Sequence, residues 1–289
     1  MNILVPTKRV GSKVRLAPWI VRHLPPHETY IEVFGGTGAV LFSKLKSPRE
    51  VYNDLDSDLH NLFRVIRERP GDLARVLALT AYSRREYEEA CDYLAGKQGL
   101  TDNPVEWARR YVVYTRQSFI GGGGDTWSTT RAGHLPSRTW LKLPAAVRKL
   151  HERLQGVSIE NLNYPKLLTK WDAESATFFI DPPYLGVEDD YYEANKANGF
   201  DHQALREAIE PLQASVVVSY YKSDFVINLY KGFEVAEKQV STKIGDGARQ
   251  DTEILLIRPS AWARQRWRRP RVRDLFPEAH PQALLAWSA

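Results

Sequence analysis

The sequence predicts an α/β fold built on a central, mostly parallel sheet. Two observations carry this expectation. Residues 30–54 read strand, glycine turn, helix, strand, and residues 176–184 read as an apolar strand ending in Asp181-Pro182-Pro183-Tyr184. A parallel pair of strands needs a crossover, and the helical stretch after the glycines supplies one. A third run, Ser215-Val216-Val217-Val218-Ser219, has three consecutive valines at its centre, as strands covered on both faces do.

Taken in order, residues 19–24 form a short amphipathic helix stopped by Pro25-Pro26. The β-rich run Tyr30-Ile31-Glu32-Val33-Phe34 follows, then Gly35-Gly36-Thr37-Gly38, a helix over 39–44 and a second strand, Val51-Tyr52-Asn53, ending at Asp54. Residues 55–94 are helical, with Leu59, Leu62, Phe63 and Ile66 on one face and a break at Pro70-Gly71. Residues 96–104 read as a loop and 107–119 as an aromatic-rich helix. Residues 121–134, opening on four glycines, read as a loop or hairpin carrying Arg131 and His134. The α/β pattern returns at 176–180, continues through a helix at 205–212 and a strand at 215–219, and closes with strands at 233–240 and 253–257, read as an antiparallel pair. An α/β domain is thus interrupted by a mostly helical insertion.

Composition sets bounds on function. The chain has 289 residues, of which 43% are apolar, so a packed core is expected. Lys and Arg total 40 against 35 Asp and Glu, giving a net charge of +5 and a pI near 9.1. That excess is compatible with a nucleic-acid partner without requiring one. Cys91 is the one cysteine, which excludes an internal disulfide framework, and no Cys/His spacing suits zinc. No apolar run approaches a membrane span and no signal-peptide core is present, so a cytoplasmic protein with no membrane or metal partner is expected.

The glycine turn and Asp54 belong together. Glycines after a strand let the backbone approach a ligand beside the next helix N-terminus. Asp54 stands 19 residues past Gly35, where a carboxylate can hold the hydroxyls of a ribose. A dinucleotide fingerprint would need a third glycine at Leu41, so the spacing points to a nucleoside without a pyrophosphate. A plain tight turn and a helix cap at Asp54 are the bland alternatives.

Asp181-Pro182-Pro183-Tyr184 is the most informative tetrapeptide. Its prolines fix the backbone at the carboxyl end of a buried strand, where open α/β sheets place ligands. The Asp181 carboxylate and the Pro182 carbonyl are two acceptors for the two N–H groups of an aromatic amine. Such an amine is a poor nucleophile because its lone pair is delocalised. Holding it tetrahedral frees that pair to attack a methyl sulfonium. Tyr184 offers a flat face for a base flipped from a duplex. The bland alternative is a turn whose aspartate caps the next helix.

At this point the sequence resembles the Dam-like, D12-class DNA adenine N6-methyltransferases, especially their phage and prophage branch. The resemblance runs over residues 9–257. It is carried by Gly11-Ser12-Lys13 with Leu16-Ala17-Pro18-Trp19-Ile20, by residues 26–38 through the glycine turn, and by Asn53-Asp54-Leu55-Asp56. It continues in Arg116-Gln117-Ser118-Phe119, Asp181-Pro182-Pro183-Tyr184, Val216-Val217-Val218-Ser219 and Thr252-Glu253-Ile254-Leu255. The order is similar to the family's α-type arrangement: lysine motif, glycine motif, insertion, then Asp-Pro-Pro-Tyr.

The resemblance implies a Rossmann-like S-adenosylmethionine-dependent methyltransferase sheet with a reversed final strand. It implies that Lys13, Phe34, Gly35, Gly36, Gly38, Asp54, Asn163 and Asp181 line the cofactor pocket. Residues 1–67 and 151–260 would form the catalytic domain, 68–150 a target-recognition domain, and 261–289 a basic tail. Three positions depart from the family's pattern. Asn163-Tyr164 stands where an acidic residue and an aromatic are usual, Val33 where proline is frequent, and no tryptophan lies near Arg9.

Double-stranded DNA is the expected partner. Arg116, Gln117, Ser118 and Phe119, with Arg131 behind them, interleave groups that can read base edges or wedge into a stack. A solvated helix face or small core is the alternative for each. Residues 258–273 carry seven arginines with Trp262 and Trp267, suited to phosphates or to a solvated tail. Two rival functions stand beside DNA adenine methylation. One is the same chemistry on RNA adenine, cytosine N4 or protein glutamine; the other is a non-catalytic DNA-binding module. Cytosine C5 chemistry needs a cysteine after a proline, and Cys91 follows Ala90.

Overall fold

The structure, a computed structural model, describes residues 4–9, 11–97, 101–119, 126–129, 135–184, 199–244 and 247–267. Its centre is a seven-stranded sheet of order β3-β2-β1-β4-β5-β7-β6. The strands are β1 (Thr29–Glu32), β2 (Arg49–Asn53), β3 (Val157–Glu160), β4 (Ala176–Ile180), β5 (Ser215–Tyr221), β6 (Glu234–Ile244) and β7 (Gly247–Arg258). The first five are parallel, and β7 runs antiparallel to both its neighbours. The expected α/β sheet with a reversed final strand is therefore present. The last two strands are longer than read from sequence, because they pair with each other over their whole length.

Alternation of side chains along each parallel strand feeds two cores. Tyr30, Tyr52, Phe179 and Val217 point to one face of the sheet, with the helices α1 (Ala17–His23), α2 (Ala39–Ser43) and α3 (Ser57–Glu68). Ile31, Val51, Phe178 and Val216 point to the other, against Leu167, Leu168, Leu205, Ile209 and Val226.

The insertion is helical, as expected: α4 (Pro70–Leu79), α5 (Arg84–Leu94), α6 (Pro104–Gln117), α7 (Pro136–Trp140) and α8 (Leu143–Leu154). Asn103 caps α6 through its Oδ1, which accepts from the Val105 amide, and Pro104 takes the first helical position. Cys91 is half-buried on α5. Leu73, Leu77, Val112, Val147 and Leu150 belong to the same buried cluster as Tyr30 and Tyr52. Sheet and insertion are thus continuous through one core.

A buried ion cluster reinforces that junction. Glu50 on β2 meets Arg153 of α8 at 2.5 and 2.9 Å and Lys44 at 2.6 Å, all three nearly inaccessible. Arg153 also donates to the Leu41 carbonyl at 2.7 Å. Burial alone would raise the Glu50 carboxyl, but the two cations outweigh it and hold it below the usual range.

No helix among the described residues is long and apolar enough to cross a membrane. The strand order reverses direction between β1 and β4, which opens a crevice at their carboxyl ends.

Candidate active site

Parallel register places the carboxyl ends of β2, β1 and β4 side by side: Glu32 lies opposite Tyr52 on one flank and Phe179 on the other. The glycine turn leaves β1 between Asp54, at the end of β2, and Asp181, at the end of β4. Two residues far apart in sequence therefore flank one turn.

The turn itself is tight and open on one side. Gly36 and Gly38 adopt φ +49° and +67°, a left-handed conformation that glycine tolerates best. A β-carbon on Gly35 would lie 2.3 Å from the Tyr52 ring, whereas one on Gly36 would meet nothing within 4 Å. Gly35 is thus needed for close packing, and Gly36 faces free space. The Tyr52 hydroxyl donates to the Gly36 carbonyl at 2.7 Å and fixes that orientation.

Asp54 braces the turn. Its Oδ2 accepts from the Gly36 amide at 2.7 Å and its Oδ1 from the Asp56 amide at 2.9 Å. The helix that follows is capped by Asp56 instead. Each Asp54 oxygen keeps a second lone pair for an outside hydroxyl. Burial raises its carboxyl, opposed by Arg9, and Arg9 itself pairs with Asp56 at 2.9 Å.

Lys13 is buried on a single 3-10 turn, Lys13–Arg15. Next to it, Ser12 and Thr37 share a hydroxyl hydrogen bond of 2.8 Å, which pins this segment to the glycine turn. Lys13 Nζ stands 3.0 Å from Asp181 Oδ1 and 3.7 Å from Glu253 Oε1, and 4.5 Å from the centre of the Tyr184 ring. Burial alone would lower its ammonium; the two carboxylates prevail and raise it. Asp181 Oδ1 is buried and taken up by the Lys13 ion pair, while the side chain as a whole keeps 18% of its surface exposed, which leaves the carboxylate room to accept from outside. Burial pushes the Asp181 carboxyl up to about 6, with Lys13 opposing and Glu253 adding to the rise.

Tyr184 is the best-anchored ring at the site. Its hydroxyl contacts Glu253 Oε1 and, at 3.0 Å, Ser219 Oγ, which in turn donates to the same Glu253 oxygen at 2.6 Å. The Tyr221 ring meets it edge-on at 4.8 Å. Near the glycine turn, Phe34, Tyr164 and Phe200 form a wall of three rings with centroids 5.7–6.0 Å apart.

A family model matches residues 10–244, described as the D12 class N6 adenine-specific DNA methyltransferases. The chain belongs to that family. It is 27% identical over 255 residues to the type II methyltransferase M1.LlaDCHI of Lactococcus lactis subsp. cremoris, covering 81% of this chain and 87% of that one. Among solved structures it is similar to precorrin-6y C5,15-methyltransferase from Geobacter metallireducens (TM-score 0.37, 10% identity, 86% and 87% of the two chains). An rRNA methylase from Streptococcus thermophilus scores 0.31 at 9% identity, over 86% and 97%. Overlaps this low leave the fold to be read from the sheet itself.

As a D12-class member the chain is an adenine-specific DNA methyltransferase that uses S-adenosylmethionine. The crevice fits such a nucleoside. Gly36 presents free space, Asp54 presents spare acceptor positions, and Phe34 contributes to an aromatic wall. Among the described residues, no group of three or more His, Cys, Asp or Glu could hold a metal ion.

Not every expected site residue of this D12 chain sits in the crevice. Lys13, Phe34, Gly35, Gly36, Gly38, Asp54 and Asp181 gather around the glycine turn. Asn163 is exposed and caps the helix α9 (Tyr164–Trp171), its Oδ1 accepting from the Lys166 amide at 3.3 Å; its neighbour Tyr164 joins the aromatic wall. Asn161, unread from sequence, donates to the Asp54 carbonyl at 2.7 Å.

The expected DNA-facing run divides. Gln117 is fully buried, accepting from the Ser83 amide at 3.0 Å and donating to the Ala81 carbonyl at 3.1 Å. Ser118 is buried too, and Arg116 donates inward to the Pro6 carbonyl at 3.1 Å, with burial lowering it to about 10. In this structure these three serve the junction between α6 and its surroundings rather than a surface. Phe119 alone is turned out, 62% exposed, and Arg131, His134 and the four glycines lie outside the described residues. In the tail, Arg258 is spent on the carbonyls of Ile209, Glu210 and Leu212, and residues beyond Trp267 lie outside the description.

Proposed function

We propose that this enzyme methylates adenine at specific sites in double-stranded DNA after the base has left the stack, with Asp181 and Pro182 as the amine clamp. The observation that carries this reading is Asp181: a carboxylate paired through one oxygen with buried Lys13 yet still 18% exposed, at the carboxyl end of β4 beside the glycine turn. When bound, S-adenosylmethionine supplies an electrophilic methyl group on a sulfonium.

The chain's own residues do the rest. Asp181 and the Pro182 carbonyl accept the two N–H groups of the amine and draw its nitrogen toward tetrahedral geometry. Prolines 182 and 183 keep that carbonyl from turning away. Tyr184 stacks on the adenine; because Lys13 covers one face of its ring, the base takes the other. Asp54 holds ribose hydroxyls and Phe34 with Tyr164 packs the cofactor's own base. Asn163 supports that wall by starting α9. The helical segment 68–150 recognises the target, with Phe119 and Arg131 on the DNA side. Gln117 holds the turn that presents Phe119, whose amide donates to the Thr126 carbonyl at 2.9 Å.

The clamp needs an ionised Asp181. With its carboxyl near 6, kcat/KM for plasmid methylation is expected to be flat above pH 7 and to fall about tenfold per unit below 6. A profile measured from pH 5 to 9 that stays level through 5 contradicts the assignment.

The test of the activity is direct. The protein is incubated with tritiated S-adenosylmethionine and unmethylated plasmid, the DNA is digested to nucleosides, and modified positions are mapped by single-molecule sequencing. Label in N6-methyladenine at a defined sequence is expected. Label in N4-methylcytosine, or a preference for RNA, overturns the reading.

A further inference from the structure

The site contains a buried carboxylate that the clamp does not use. Glu253 sits on β7 with 2% exposure, opposite Tyr221 of β5 and Lys238 of β6. Ser219 lies two residues before Tyr221, so the pleat puts it on the same face as Glu253. One carboxylate oxygen of Glu253 thereby receives both the Ser219 and the Tyr184 hydroxyls, and it stands 3.7 Å from Lys13 Nζ.

We propose that Glu253 is a positioning residue for methyl transfer, fixing the Tyr184 ring and the Lys13 ammonium in the arrangement that Asp181 requires. This rests on Asp181 and Tyr184 being the catalytic pair. Three physical points support it. A tyrosine ring tethered only by its own χ angles can pivot; a hydroxyl held by a buried carboxylate cannot do so without breaking a charge-assisted bond. Lys13 is drawn by two carboxylates at once, which sets it over the ring instead of wholly on Asp181. A carboxylate buried to 2% exposure at the head of the apolar run Ile254-Leu255-Leu256-Ile257 would be costly without such partners.

Charge adds a second readout. The groups facing Asp181 are Lys13, Glu253 and the Tyr184 hydroxyl, with Glu32 of β1 contributing through space. Glu253 disfavours a second negative charge beside it. Removing its charge while keeping its shape should therefore ease ionisation of Asp181.

The experiment compares Glu253→Gln, Tyr184→Phe, the double variant and Asp181→Ala, all in the full chain. Melting temperature and S-adenosylmethionine binding by calorimetry are read first, without DNA. Glu253→Gln is expected to stay folded, to bind cofactor within threefold of the parent, and to lose at least tenfold in kcat on plasmid. Its acidic limb should move to lower pH by half a unit or more. Tyr184→Phe should show a loss of similar size, and the double variant should be no worse than the more impaired single one, because both weaken the same charge-assisted tether, Gln by losing the charge and Phe by losing the hydroxyl. Parental kcat in Glu253→Gln overturns the proposal, as do multiplicative losses in the double variant or an unmoved acidic limb. If Asp181→Ala also retains activity, the clamp itself has failed. If Asp181→Ala is dead and Glu253→Gln is unimpaired, only the role of Glu253 has failed.

Discussion

Replacing Asp181 by Ala is expected to abolish methyl transfer, by at least about a thousandfold, while S-adenosylmethionine still binds. The size follows from what the side chain does. One of the two acceptors that make the amine nucleophilic disappears, and losing a single preorganised hydrogen-bonding group of this kind costs roughly 10²–10³ in rate. The Lys13 ammonium is then left buried with its nearer partner gone, 3.7 Å from Glu253, and is free to swing away from the Tyr184 ring. Cofactor binding survives because the glycine turn is braced by Asp54 and Tyr52 and not by Asp181. Single-turnover methylation with calorimetric binding checks both halves. Turnover within tenfold of the parent contradicts the mechanism.

The largest expected effect on stability lies elsewhere, at Glu50. Glu50→Ala removes the shared counter-ion of Lys44 and Arg153, both nearly inaccessible. Leaving buried charge uncompensated costs about 3–5 kcal/mol, whereas an intact buried pair is often worth little against an apolar substitute. The variant should therefore lose several kcal/mol in urea denaturation, and Glu50→Gln less. The pH sign is fixed by the depressed Glu50 carboxyl. Its contribution is present above the ordinary carboxylate range and is lost as pH falls through the folded value, so parent and variant should converge in acid. A loss under about 1 kcal/mol would show that the cluster is not what joins β2 to α8.

Much of this architecture was legible in the sequence because its strands are covered on both faces. Residues 176–180 and 215–219 are largely apolar runs, buried at every position, and glycines or prolines punctuate the ends that matter. β3 escaped that reading. It is four residues long, lies at the sheet's edge and is only partly buried, so it offers neither a run nor an alternation. α8 carried a signal in Leu143, Ala146, Val147, Leu150 and Leu154, which recur at helical spacing and are all buried.

The site divides in the same way. Gly35, Gly36, Asp54, Asp181 and Tyr184 were legible because local backbone chemistry demands them. Glu253 and Ser219 become neighbours of Tyr184 only through the register of β5 with β7. Phe200 reaches Phe34 from the far side of the Asp-Pro-Pro-Tyr turn. Gln117 illustrates the opposite limit. An amide can read a base edge or satisfy two backbone groups of another segment, and composition does not distinguish the two.

The central claim is that the amine clamp and the cofactor share one crevice at the ends of β1, β2 and β4. A crystal structure of the protein with sinefungin, an analogue that carries an amine in place of the transferable methyl, tests this most directly. The expected result is a nucleoside whose ribose hydroxyls bond Asp54 and whose added amine lies within hydrogen-bonding reach of Asp181 and the Pro182 carbonyl. Density for the nucleoside on any other surface, or an amine pointing away from Asp181, would contradict it.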